Sequence, residues 1–295
     1  EEHPDTLTSL NNLAGEYSKL GEHQKALELN EKVYEQCCKV LGEEHPDALT
    51  SLVNLAGEYS ELGEYQKALE LGKKAYELRS KVLGEEHPDT LTSLNNLAGE
   101  YSELGEYQKA LELGKKAYEL RCKVLGEEHP DTLTSLSNLA SLYSKLGENQ
   151  KALELGKKAY ELRCKVLGEE HPDTLTSLSN LASLYSKLGE NQKALELGKK
   201  AYELRCKVLG EEHPDTLTSL SNLASLYSKL GENQKALELG KKAYELRCKV
   251  LGEEHPDTLM SIKNLISMYN EQDSGRKRHG GLLRRLWNWM KSLRK

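Results

Sequence analysis

Along positions 130–146 apolar residues follow one another at Leu133, Leu136, Leu139, Ala140, Tyr143 and Leu146. Spacings of three and four put these on one face of a helix, and Gly147 follows as the residue type best able to take a left-handed cap. Pro130 lacks an N–H and has a fixed φ, which suits the first helical position, while Asp131 meets the positive end of the helix dipole. A second helix is predicted from Glu148 or Asn149, with Ala152, Leu153, Leu155, Ala159, Tyr160, Leu162, Val166 and Leu167 on its apolar side and Gly168 after it. Gly156 inside that helix costs about 1 kcal/mol relative to alanine, which close helix approach would offset. Ala140, Ala152 and Ala159 are small where the two helices must come nearest. The pattern predicts a helical hairpin.

The hairpin recurs. Glu-Glu-His-Pro-Asp begins at Glu1, Glu43, Glu85, Glu127, Glu169, Glu211 and Glu253, always 42 residues apart, and residues 169–210 and 211–252 repeat 127–168 letter for letter. A fixed period in this range marks a stacked-repeat architecture in which each unit needs its neighbours to bury its apolar stripes. Six repeats are expected over 1–252. The partial seventh, 253–272, keeps Pro256 and Asp257 but changes to Met260, Ile262, Lys263, Ile266 and Met268, and is read as a capping helix over about Pro256–Asn270. A basic, Gly-containing linker is expected at 273–281. The tail 282–295 follows as an amphipathic helix, with Leu282, Leu283, Leu286, Trp289, Met290 and Leu293 on one side and Trp287 at its border.

Leu136, Leu139, Ala140, Tyr143, Gly147, Ala152 and Ala159 resemble the tetratricopeptide repeat pattern, whose usual length is about 34 residues. The longer unit, and Leu125-Gly126-Glu127-Glu128-His129-Pro130-Asp131 followed by Ser137-Asn138-Leu139-Ala140, are similar to the 42-residue variant of kinesin light chains and nephrocystin-type proteins. This resemblance spans Glu1 to about Asn270. It implies an all-α fold, a right-handed superhelical α-solenoid of stacked hairpins whose first helices, the A helices, line a concave groove. It specifies the fold closely and the ligand hardly at all. The coiled-coil heptads through which kinesin light chains join the motor are absent from the sequence.

Composition changes this picture in three places. The chain of 295 residues is 37% hydrophobic, 30% charged and has no Phe, lean for one large core but sufficient for helices that each bury a stripe. Its formal charge of −6 conceals a gradient: residues 1–126 carry 24 acids and 14 bases, 127–252 carry 18 of each, and 253–295 carry five acids and nine bases. Opposite ends of such a chain can attract each other, a second copy or separate partners. Cys122, Cys164, Cys206 and Cys248 share one repeat position, too far apart in a helix stack for disulfides, and adjacent Cys37 and Cys38 point in different directions. No cysteine pair has metal-ligand spacing with a histidine, so no metal is expected, and the free thiols point to a reducing, cytoplasmic setting. No signal peptide or long apolar run is present. The chain starts without Met at a repeat boundary, as expected of a fragment.

For chemistry, the Glu-Glu-His triplet at each helix entry comes closest to a catalytic set. Seven identical copies are hard to reconcile with one shaped pocket, so these residues are read as helix-start punctuation. No phosphate loop appears and no cofactor is expected. Helix A instead carries Thr134, Ser137, Asn138, Ser141, Ser144 and Lys145 opposite its apolar stripe. Asn recurs there as Asn12, Asn54, Asn96, Asn138, Asn180, Asn222 and Asn264. By resemblance to tetratricopeptide proteins, Asn at this place holds a bound peptide's backbone or terminal carboxylate, and its two donors and one acceptor suit that. Such a polar stripe is also what any solvated helix face shows. In the tail, Arg284, Arg285, Trp287, Trp289 and Lys291 make a basic amphipathic surface for an anionic membrane, a partner or the chain's own acidic repeats. The acidic or neutral repeats would repel nucleic acid. The expected function is a non-enzymatic interaction scaffold binding peptides in the A-helix groove, with a tail-anchored membrane-associated or self-associating array as the alternative.

Overall fold

A computed structural model of the chain describes residues 4–274, and among these residues every regular element is a helix. The A helices are α1 (Pro4–Lys19), α3 (Pro46–Glu61), α5 (Pro88–Glu103), α7 (Pro130–Lys145), α9 (Pro172–Lys187), α11 (Pro214–Lys229) and α13 (Pro256–Ser274). The B helices are α2 (His23–Leu41), α4 (Tyr65–Leu83), α6 (Tyr107–Leu125), α8 (Asn149–Leu167), α10 (Asn191–Leu209) and α12 (Asn233–Leu251). Two compact units divide inside α8, between Leu155 and Gly156. In the first, each helix from α1 to α7 packs on the next; in the second, the same holds from α9 to α13.

Each A helix starts where the sequence places a histidine before a proline. His45, His87, His129, His171 and His213 take extended backbone angles, and the Nδ1 of each accepts from the N–H of the Asp two residues on, at 3.2 Å. The imidazole thereby satisfies an orphan donor of the first turn, the role usually taken by Ser, Thr, Asp or Asn. Proline at the next position has no N–H to satisfy.

The two helix-ending glycines of each repeat act differently. After α7 the N–H of Glu148 donates to Tyr143 O at 2.9 Å and that of Gly147, at φ 82°, to Ser144 O at 3.1 Å, the paired bonds of a Schellman ending. After α6, Gly126 has φ 89° and ψ 160°, outside the left-handed helical region and nearly restricted to glycine. Its N–H still closes on Cys122 O.

The core of each unit is a row of paired leucines. Leu49, Leu52, Leu91, Leu94, Leu133 and Leu136 are fully enclosed in the first unit, and Leu175, Leu178, Leu217, Leu220 and Leu265 in the second. Ala140, Ala152 and Ala159 are buried as expected. Val166 is not: it is 39% exposed, and Arg163, three residues before it, is buried instead. Leu142, which the expected stripe left out, is also buried. The final helix differs as well, since α13 continues to Ser274 rather than stopping near Asn270. Asp273 and Ser274 of the expected linker are therefore helical. Arg284, Arg285, Trp287, Trp289 and Lys291 lie outside the described residues. Among the described residues no helix is long and apolar enough to cross a membrane.

Candidate functional site

Within each unit the asparagines share one register position of successive A helices, two residues after the second member of the apolar pair that Leu133 and Leu136 form in α7. Asn12, Asn96, Asn138, Asn180 and Asn222 are exposed, and Asn54 and Asn264 half-buried. They are not equivalent in bonding. Asn54 Nδ2 donates to Asn11 Oδ1 at 3.1 Å, and Asn138 Nδ2 to Asn95 Oδ1 at 3.3 Å, so these two lean on the preceding A helix of the same unit. Asn96 has Val53 in the corresponding place and retains a free amide, and so does Asn222 in the second unit.

Two cavities open on this face. In the first unit, about 320 Å³ lies between α3, α4 and α5, lined among others by Asn95, Asn96, Glu100, Glu103 and Asn138. In the second, about 140 Å³ is lined by Ser179, Ser183, Ser186, Asn222, Leu226 and Lys229, and Lys229 Nζ donates to Ser186 Oγ at 2.8 Å. Asn96, Asn138 and Asn222 thus border these two cavities.

The cavities differ because of one register position. Glu16, Glu58 and Glu100 occupy it in the first three repeats, and Leu142, Leu184 and Leu226 in the next three. Each leucine packs on the glycine of the preceding B helix: Leu142 on Gly114, Leu184 on Gly156, Leu226 on Gly198. Gly156 is therefore explained by close approach, as expected. Glu58 Oε2 meets His23 Nδ1 at 3.2 Å. Glu100 is 6% exposed, its Oε2 has no hydrogen-bond partner, and burial pushes its carboxyl up to about 8.

A second constellation escaped the sequence reading. Arg79, Arg121, Arg163, Arg205 and Arg247 are all buried. Arg79 Nη1 donates to Asp89 O and Ser93 Oγ, each at 3.0 Å, and its Nη2 to Thr50 Oγ1 at 3.3 Å. Desolvation lowers each guanidinium's basicity, with the Asp at the next helix start, ten residues on, opposing it. The signal available was the arginine's recurrence beside alanines and leucines, with a serine always 14 residues on.

In the third repeat the Glu-Glu-His stretch has structural occupations. Glu85 pairs with Lys116 at 3.0 Å and Glu86 with Lys123, both exposed, while His87 caps α5. Exposed pairs of this kind contribute about 0–1 kcal/mol. Among the described residues no three His, Cys, Asp or Glu come together as metal ligands, and none of the six cysteines is in a disulfide.

Stacked helical hairpins with a polar, cavity-bearing A-helix face define an α-helical repeat protein. Family models of the tetratricopeptide repeat match residues 5–81 and 59–123, and further ones 132–173, 174–215 and 216–257. The chain belongs to the tetratricopeptide repeat family. Among solved structures it is similar to a protein of Podosopora anserina described as a kinesin light chain with nearly identical TPR-like repeats. That match has 37% identity over 70% of this chain and 98% of the other, with a TM-score of 0.58. BtubC (BKLC) of P. vanneervenii shares the fold at 22% identity, covering 80% of this chain and 92% of that one, with a TM-score of 0.59. A Rap protein complexed with Competence and Sporulation Factor does so at 14% identity, covering 90% and 76%, with a TM-score of 0.60. No match is found among curated proteins.

Proposed function

We propose that the A-helix face binds an extended peptide segment, with asparagine amides gripping its backbone. Tetratricopeptide repeats are protein-interaction scaffolds, generally without catalytic activity, and this supplies the class. The observation that carries the finer reading is the placement of Asn96, Asn138 and Asn222 at cavities on that face. The free amides of Asn96 and Asn222 present donors and acceptors there, independent of the ligand's side chains. Because 127–168, 169–210 and 211–252 are identical, they suit a ligand of repetitive character. Calorimetric titration of a peptide panel against the intact chain and a variant with Asn138, Asn180 and Asn222 all changed to Ala tests the reading. Weakened binding with an unchanged melting temperature is expected; unchanged affinity overturns it.

A further inference from the structure

The first-unit cavity and the buried carboxyl beside it have no structural task that the fold accounts for. Two other solutions at the same register show what the position does when it is satisfied. At Leu142 the side chain is apolar and fills the space over Gly114. At Glu58 the carboxylate is matched by an imidazole, His23, 35 residues earlier. Glu100 has neither solution. Tyr65 stands 35 residues before it, and its carboxylate occupies the space over Gly72 with Oε2 unpartnered. An unpaired buried carboxylate is strongly disfavoured, so the group either stays protonated or meets a cation that the chain does not supply.

We infer that this cavity takes a lysine or arginine side chain of an extended peptide on the A-helix face, with Glu100 as its counter-ion. The inference rests on the peptide-binding reading and adds to it the chemistry of the recognised residue. Three features select a cation. The surroundings are acidic, for Glu61 of α3 and Glu103 of α5 line the same cavity. Among the cations near it, Lys145 of α7 is held by Glu103 at 3.0 Å and Ser102 Oγ at 2.8 Å. Lys73 of α4 lies over the Tyr101 ring at 5.3 Å, so neither ammonium is placed to neutralise Glu100. Finally, Asn96 and Asn138 bring amide oxygens able to accept the remaining N–H donors of an ammonium or guanidinium. The second-unit cavity has Leu226 in place of the carboxylate and Lys229 on its wall, and provides no such partner.

A cation entering the site has to ionise Glu100, so binding releases a proton whenever the group starts protonated. Affinity for the basic peptide therefore rises with pH, by up to about tenfold per unit below the resting pKa, and levels off above it. The test uses the full chain and end-blocked Gly/Ser peptides bearing one central Lys, Arg or norleucine, titrated by calorimetry at about pH 6.5 and about pH 8.5. Tighter binding of Lys and Arg than norleucine, with proton release and a gain at the higher pH, is expected. Glu100→Leu, the residue the chain itself uses over Gly114, should remove the preference and the pH dependence. Equal binding of Lys and norleucine peptides overturns this inference and leaves the peptide-binding face standing. Failure of all three peptides to bind overturns both, and a preference that survives Glu100→Leu removes Glu100 from the site.

Discussion

Nη1 of Arg121 donates to Ser135 Oγ at 2.8 Å and to Asp131 O at 3.0 Å, while Nη2 reaches Thr92 Oγ1 at 3.0 Å. One side chain of α6 thus ties the A helix of its own repeat to the first turns of the next. Burial of the guanidinium is offset by three neutral acceptors that take N–H donors from both Nη atoms, while Nε is left without a partner. Arg247 repeats the arrangement with Ser261 at 2.7 Å and Thr218 at 3.1 Å. Only the first repeat departs, with Cys37 at the place and its Sγ 3.9 Å from Ser51 Oγ.

Removing the tie should destabilise strongly. Arg121→Ala leaves a cavity and several buried groups without partners, for an expected loss of about 2–4 kcal/mol in urea unfolding. Arg121→Cys, copying the first repeat, should lose less, because a thiol is at home in a buried site. Equal losses for the two would mean that the lost hydrogen bonds, not packing volume, set the energy.

The buried hydroxyl of Thr132 should be dispensable. It is fully enclosed, its Oγ1 has no partner, and Ala48 occupies the equivalent place in the second repeat. Thr132→Val keeps the shape and removes the unsatisfied group, so a gain of about 1 kcal/mol is expected in thermal or chemical unfolding.

Glycines facing leucine and glycine facing Glu100 should respond differently to alanine. A Cβ on Gly114 would sit 3.2 Å from Leu142 Cδ1, the movable end of a side chain, so the helix-propensity gain of about 1 kcal/mol is largely kept. A Cβ on Gly72 would land on the Glu100 carboxylate, and Gly72→Ala should be the less stable of the two. Melting temperatures of the two variants decide the order.

Stability should also fall with pH through Glu100. Its folded pKa of about 8 lies above the ordinary carboxylate value, so between the two the folded chain binds more protons than the unfolded one. The contribution is full below about pH 4.3 and disappears as pH rises through about 8, with a limiting slope of about 1.4 kcal/mol per unit. Glu100→Gln should flatten that slope between pH 5 and 8 in chemical unfolding curves, taken at about one-unit intervals.

Replacing the capping imidazole should cost less than removing the arginine. His129→Ala forfeits one first-turn bond, worth about 0.5–2 kcal/mol, whereas His129→Asn supplies another acceptor and should stay within a few tenths of the parent. Far-UV circular dichroism melts of the two variants separate capping from mere turn geometry.

The hairpins were legible because Pro130, Gly147 and Gly168 punctuate them and because leucine spacing names the buried face. What a side chain meets across the repeat was not. Arg163 reads as solvated from its type alone, and only the acceptors at the start of the next A helix make burial tolerable. His129 was rightly placed at a helix start, but its capping bond depends on the extended backbone that Pro130 imposes before it. The asparagine face was visible as a stripe, yet its division into bonded Asn54 and Asn138 and free Asn96 turns on Asn11, Asn95 and Val53, one register back. The Glu100 cavity required knowing that Leu142 and Glu58 share its position and solve it in other ways.

The arginine tie gives the chain a grammar of joining. Its donor always belongs to the earlier repeat, and two of its acceptors, a carbonyl and a serine hydroxyl, to the later one. Splicing whole 42-residue cassettes in or out reproduces every junction, whereas a block inserted in any other frame strands a guanidinium without its serine. Duplication in this chain is thereby limited to a single reading frame of structure, and the three identical cassettes at 127–252 conform to it.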